Sequence, residues 1–230
     1  MPLFRILFPR TCVNCNQTIS ASADENLCNR CWQLLTPPVI KCIFCDTYDS
    51  FLCHLCKKEY PFLKNIHVCF RYEEVAKKLI QQYKFSLKPY LAQTIARLMW
   101  QESLDFFAEL PLSTEIIPMP SGRLRMAKRG FNPIGLVAKK LSQRSDLLYN
   151  ATYLQKRAFS IAQTQLSREE RLSNHQQSFY LNNKAHSYKE NRSILLVDDV
   201  VTTGTSFRKA IETLNNPHTK QIFGLFIAQT

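Results

Sequence analysis

A chain of 230 residues with 45% hydrophobic content has room for one ordinary α/β domain and a small satellite. No apolar run approaches the roughly 20 residues that cross a bilayer, and the opening MPLFRILFPR breaks its few apolar residues with Arg5, Pro9 and Arg10 and leads to no small-residue cleavage site, so a soluble, unprocessed, cytoplasmic protein is expected. The net charge of +12 is concentrated in residues 115–190, where thirteen Lys/Arg face five Asp/Glu; such a field attracts polyanions, either a polyphosphorylated small molecule or nucleic acid.

Eight of the nine cysteines form four CxxC pairs, Cys12/Cys15, Cys28/Cys31, Cys42/Cys45 and Cys53/Cys56. A CxxC turn puts two thiolates on one side of a metal, and two such turns complete a tetrahedral site, so the pattern predicts two structural Zn²⁺ ions. The natural reading takes one site from the first four cysteines and one from the last four, although crossed pairing also satisfies the spacing. Four disulfides would suit a secreted mini-domain, but no signal sequence accompanies them; iron–sulfur ligation normally uses other spacings; redox CxxC motifs normally occur singly. A segment this short has little core, and metal would supply its folding energy. Its six Lys/Arg against five Asp/Glu give no support for nucleic-acid binding by the head. Tyr60-Pro61 marks the expected junction, dividing the chain into residues 1–60, a double zinc ribbon, and residues 61–230.

After the junction, His67 to Arg71 reads as a strand in which Cys69 is a buried apolar residue. Glu73 to Phe85 has helical spacing, with Val75, Leu79 and Ile80 inward and Lys84 at its end, where the helix dipole alone favours a cation. Leu87 to Leu104 reads as a second helix. Glu115 to Pro118 is a short strand followed by the stiff turn Pro118 to Arg123, in which Ser121 and Gly122 offer donors and Arg123 a counter-charge. Arg125, Lys128 and Arg129 precede Gly130-Phe131-Asn132-Pro133. Pro133 to Arg144 is amphipathic, and Thr152 to Leu154 is expected as a strand. The long polar stretch from Lys156 and Arg157 to Arg171 lacks periodicity and suits a lid, with Ser167 and Glu170 forming a capping box.

Ser193 to Val197 is an apolar, β-branched run typical of a parallel strand covered on both faces. Asp198 and Asp199 follow at its carboxyl end, where open α/β sheets bind ligands. Thr202, Thr203, Gly204, Thr205 and Ser206 then supply hydroxyls and closely spaced amides ahead of a helix over Phe207 to Leu214. Carboxylates for hydroxyl groups thus lie beside a nest for a phosphate. A strand, turn and capped helix would explain the hydroxyls but not the acidic pair. Gln221 to Ala228 supplies a last strand.

Asp198-Asp199-Val200-Val201-Thr202-Thr203-Gly204-Thr205-Ser206 resembles the phosphoribosyl pyrophosphate (PRPP) signature of type I phosphoribosyltransferases. The resemblance implies an α/β fold with a parallel sheet flanked by helices. Asp198 and Asp199 would hold the ribose hydroxyls, Thr202 to Ser206 the 5′-phosphate, Ser121, Gly122 and Arg123 the pyrophosphate, and Mg²⁺ would accompany PRPP. The CxxC head, the Pro118-to-Pro133 segment, Gln163 to Asn174 and the PRPP motif together resemble the ComF family, which is associated with competence and DNA uptake in bacteria. Thr205 stands where that family often has a small apolar residue, which leaves backbone phosphate binding intact.

That resemblance implies a cytoplasmic protein that handles incoming single-stranded DNA, with Arg125, Lys128, Arg129, Lys156 and Arg157 meeting phosphates and Phe131 and Phe159 placed to stack bases, unless they pack in the core. The alternative is an active phosphoribosyltransferase working on a base or amine, for which no acceptor pocket is legible. A third possibility joins the ribbons to other DNA-uptake proteins, with PRPP as a signal.

Overall fold

The apolar runs between the helical segments assemble into one parallel sheet. The computed structural model describes residues 10–19, 26–86, 88–122, 126–127, 129–157, 179–182 and 191–230. Among these, β1 (Leu63–Arg71), β2 (Thr114–Pro118), β3 (Leu148–Tyr149), β6 (Arg192–Val201) and β7 (Thr219–Gln229) form the sheet in the order β1-β7-β6-β2-β3, every neighbouring pair parallel. β4 (Leu154–Lys156) and β5 (Phe179–Leu181) form a separate antiparallel pair. Ile194 to Val197 are fully buried, as an unbroken apolar strand covered on both faces must be. Cys69 is buried in β1, and burial pushes its thiol up.

Among the described residues of the cysteine-rich segment there are two short helices, α1 (Asn29–Gln33) and α2 (His54–Glu59). The sheet carries α3 (Glu74–Phe85), α4 (Leu91–Glu102), α5 (Leu104–Ala108), α6 (Pro133–Ser145) and α7 (Thr205–Leu214). The helix expected over Leu87 to Leu104 starts only after Pro89 and stops at Ser103, where φ is −127° and the hydroxyl returns to the Met99 carbonyl. Proline lacks the amide that a helix interior uses, which sets the late start. The strand expected at Thr152 to Leu154 begins later and lies outside the main sheet. The Asn150 side chain accepts bonds from the amides of Thr152 and Tyr153, holding these residues in a turn first.

β2 and β6 are neighbours, yet the chain leaves β2 toward β3 and leaves β6 toward β7, away from one another. The sheet therefore has its topological switch between them, and the loops at their carboxyl ends flank a crevice. At the opposite ends of the same strands, the Arg192 guanidinium meets Glu115 at 2.6 Å, with side-chain exposures of 3% and 7%. Asn150 donates to the other Glu115 oxygen at 3.1 Å, and the Tyr153 ring lies 3.9 Å from the guanidinium carbon. Removing one partner leaves a buried charge uncompensated. Glu115→Ala is expected to cost about 3–5 kcal/mol in urea unfolding; a loss below about 1 kcal/mol, as at an exposed pair, would contradict this burial.

Candidate functional site

β6 does not stop at Val197 but runs on through the acidic pair to Val201, because β7 continues to pair with it from Asp198↔Phe226 to Val201↔Gln229. On its other edge the pairing with β2 ends at Pro118↔Val197, after which Met119 donates its amide to the Val197 carbonyl. Losing that neighbour opens the crevice at Asp198 and Asp199. The Asp199 amide donates to the Asp198 carboxylate at 2.8 Å, and the Val200 amide to the Asp199 carboxylate at 2.6 Å. Burial and then the charge of Asp199 push the Asp198 carboxyl up to about 7.

The loop that follows turns at Gly204, where φ is +65°. Thr202, Thr203, Thr205 and Ser206 are exposed around it while Gly204 is buried, so the hydroxyls and the first amides of α7 face outward. The Thr203 and Thr205 hydroxyls are 2.9 Å apart, and the Arg208 amide donates to the Gly204 carbonyl to start the helix. Opposite this loop lies the turn after β2. There the Ser121 hydroxyl donates to the Asn132 side-chain oxygen at 2.9 Å, and the Asn132 amide nitrogen donates to the Met119 carbonyl at 3.2 Å. Asn132 thereby ties the turn to the start of α6.

A cavity of about 300 Å³ joins these parts; Ser121, Gly122, Asp198, Asp199 and every residue from Thr202 to Ser206 border it. Lys84, Arg129 and Lys156 also border it. The Lys84 ammonium sits 2.6 Å from the Asp199 carboxylate, so the cation that helix-end electrostatics would place there in any case reaches the acidic pair. Phe85, 72% exposed, stands at the rim with the Arg129 guanidinium 5.0 Å from its ring centre. The Lys156 ammonium lies 5.6 Å from the Phe179 ring. Acceptors for hydroxyl groups, amide donors for an anion and cations for further negative charge thus share one opening.

Other expected residues fall elsewhere. Arg157 is exposed and does not border the cavity. Phe131 packs against the core beside Tyr83, with ring centres 6.1 Å apart, which removes it as a free stacking surface. Arg123, Arg125, Lys128, Phe159, the capping box and the Gln163-to-Asn174 stretch lie outside the described residues. Sequence reading missed Phe85 and Asn132 as site residues, and it explained Lys84 by the helix end alone. Only the adjacency of Lys84 and Phe85 at the end of α3 was a signal, and many helix ends share it.

The cysteines gather as Cys12, Cys15, Cys28 and Cys31, and as Cys42, Cys45, Cys53 and Cys56, with the sulfur atoms of each group within 4.8 Å of one another. Pairing is therefore sequential. Tetrahedral Zn²⁺ with bonds of about 2.3 Å requires sulfur separations of about 3.8 Å; Cys15–Cys28 at 3.7 Å, Cys45–Cys53 at 3.5 Å and Cys45–Cys56 at 3.6 Å fit. The two groups repeat one design. In each knuckle the amide after the second cysteine, Asn16 or Asp46, returns to the carbonyl of the first, and that residue takes a left-handed conformation with φ of 60° or 59°. Asn and Asp accept this at low cost. All eight ligands come from the protein, so each Zn²⁺ holds structure and leaves no open position for chemistry.

Comparison with known proteins agrees with this arrangement. Residues 126–223 match the family of the phosphoribosyl transferase domain, and residues 3–40 match the double zinc ribbon domain. The chain is 27% identical to Competence protein F of Haemophilus influenzae, covering 92% of this chain and 93% of that protein. It is 25% identical to the DNA utilization protein YhgH of Salmonella typhi, covering 94% and 96%. A solved adenine phosphoribosyltransferase aligns with 62% of this chain and 72% of its own, at 14% identity and a TM-score of 0.39.

Proposed function

We propose, since this chain is similar over most of its length to Competence protein F and matches a double zinc ribbon ahead of a phosphoribosyl transferase domain, that it binds PRPP and handles incoming single-stranded DNA in the cytoplasm during natural transformation. The observation that carries the PRPP part is the convergence of the acidic pair, the threonine loop and the turn after β2 on one cavity. Asp198 and Asp199 accept hydrogen bonds from the ribose hydroxyls, Thr202 to Ser206 hold the 5′-phosphate, and Ser121, Gly122 and Arg123 receive the pyrophosphate. Mg²⁺ bound with PRPP would offset the pyrophosphate charge.

Arg129 and Lys156 extend positive charge from this opening, and Phe85 offers an exposed ring there. Cations that follow phosphates, interleaved with an aromatic face, suit single-stranded nucleic acid. Arg125, Lys128 and Arg157 are the further cations proposed to meet DNA phosphates. The test is fluorescence anisotropy of a labelled single-stranded oligonucleotide at several salt concentrations, with and without Mg²⁺-PRPP, for wild type and Asp198→Ala. The expected result is salt-sensitive binding that responds to PRPP only in wild type. Salt-independent or absent DNA binding would sink the DNA-handling role.

Phe85 at the rim also favours a second function, transfer of the phosphoribosyl group to a base or amine. There the protein would act by positioning and electrostatic stabilisation of the electrophile. Release of pyrophosphate from Mg²⁺-PRPP on addition of an acceptor base would support it; no release with any base or amine, alongside intact PRPP binding, would leave DNA handling alone.

A further inference from the structure

The two cysteine clusters dock on different parts of the sheet domain. The first lies on the helices before the site: Gln82 donates to the Val13 carbonyl at 2.9 Å, Asn26 to the Thr94 hydroxyl at 3.0 Å, and Arg97 covers the Trp32 ring at 4.9 Å. The second lies on the threonine loop itself. A β-carbon at Gly204 would come within 2.6 Å of the Ile43 carbonyl oxygen and 3.0 Å of the Phe44 ring. Ile43 and Phe44 are the two residues between Cys42 and Cys45, so the knuckle's own tip seals the buried side of the loop.

The contact continues below the loop. Phe44 stacks on Phe207, in the first turn of α7, with ring centres 6.2 Å apart and planes at 28°. Phe207 meets Phe226 of β7 at 4.9 Å, and Gly224 is so close beneath it that a β-carbon there would lie 2.6 Å from the ring edge. Tyr60 flanks Phe44 at 5.4 Å, and the Arg208 guanidinium covers both rings, at 5.1 and 5.8 Å. Phe207 is thus held between the sheet and the knuckle. Among the described residues, the outer side of the loop offers exposed hydroxyls and a bond between two of them, which cannot fix its backbone alone.

We infer that Phe44, carried by the second cysteine cluster, is a positioning residue for the phosphate loop, so that this zinc site forms part of the sugar-phosphate site while the first does not. Pre-ordering a loop lowers the entropy lost when its amides close on an anion. The assignment of PRPP as that anion's source rests on the function proposed above; the mechanical coupling does not.

The experiment compares wild type, Phe44→Ala and Phe44→Tyr by hydrogen exchange over residues 202–208 without ligand, Mg²⁺-PRPP affinity by calorimetry, and zinc content. Phe44→Ala is expected to retain two zinc ions, to speed exchange in this segment but not in β6 or β7, and to weaken PRPP about tenfold. Phe44→Tyr, which keeps the ring, restores both. Should Phe44→Ala not fold, Phe44→Leu keeps apolar cover over Gly204 but loses the ring stack, and the same shifts are expected in it. Unchanged exchange over 202–208 overturns the coupling. If wild type binds no PRPP, the proposed ligand falls while the exchange data still decide the role of Phe44; if wild type and Phe44→Ala bind PRPP equally, the ligand stands and the positioning role falls.

Discussion

Asp198→Asn is expected to weaken Mg²⁺-PRPP binding while making the ligand-free protein more stable toward heat. Hydrogen bonds to a charged partner contribute about 1.5–3 kcal/mol each, so the loss in affinity is roughly ten- to a hundredfold. The gain in stability has a separate origin. Burial and the neighbouring Asp199 charge raise the Asp198 carboxyl from its ordinary 3.8 to about 7. Across that window the folded protein retains a proton that the unfolded chain releases, so stability falls as pH rises from about 4 to about 7 and levels off above. Asparagine carries neither the proton nor the penalty. Wild type and variant should therefore be closest in melting temperature near pH 4, already differ at pH 5 and diverge further toward pH 8; parallel curves would show that Asp198 is not strained in this way. Asp199→Asn supplies the contrast: it removes one cause of the raised Asp198 carboxyl but leaves the Lys84 ammonium without the carboxylate 2.6 Å away, so its gain should be smaller.

That opposition between stability and binding is what a ligand site stores when its charged groups await a partner. In the free protein two carboxylates adjoin within β6, with the Lys84 ammonium 2.6 Å from one of them and Arg129 and Lys156 on the same cavity. Ribose hydroxyls would satisfy their lone pairs, so PRPP binding should be stronger above pH 7 than below it, beyond the change caused by the ligand's own phosphate.

The sheet and the site were legible to different degrees for definite reasons. β6 was readable because a strand buried on both faces has no polar alternation, and its ligand loop follows within the same stretch of sequence. The extension of β6 to Val201 was not, since only the partner β7 decides where pairing stops. Phe131 next to a run of basic residues looked like a stacking surface, but its fate depended on Tyr83, which lies in another helix. Lys84 was explained by the helix end alone, and only the 2.6 Å distance to Asp199 brings it into the site. Cysteine spacing predicted two zinc sites yet admitted crossed pairing, because both arrangements close tetrahedra; the helix that follows Cys28 and the one that follows Cys53 bring each pair back onto its own knuckle. Nothing local connects Ile43 with Gly204, and the sequence offers only a hydrophobic knuckle and a glycine.

Removing zinc is the perturbation with the largest expected effect. Structural Zn²⁺ contributes about 10–16 kcal/mol in isolated fingers, comparable to the entire 5–15 kcal/mol of a typical domain. Among the described residues of the cysteine-rich segment α1 and α2 are the regular helices, and its buried residues, among them Leu27, Ile43 and Tyr60, are continuous with the core of the sheet domain. Chelation should consequently change far-ultraviolet circular dichroism little, expose apolar surface widely, and lower the melting temperature sharply. Protons compete for the same thiolates, so acid should release zinc and destabilise the protein in step. Cys12→Ser and Cys42→Ser should each leave one bound ion, and both should be less stable than wild type. Retention of the full wild-type melting temperature after loss of two zinc equivalents, measured by scanning calorimetry with metal analysis on the same sample, would show that the clusters are not structural.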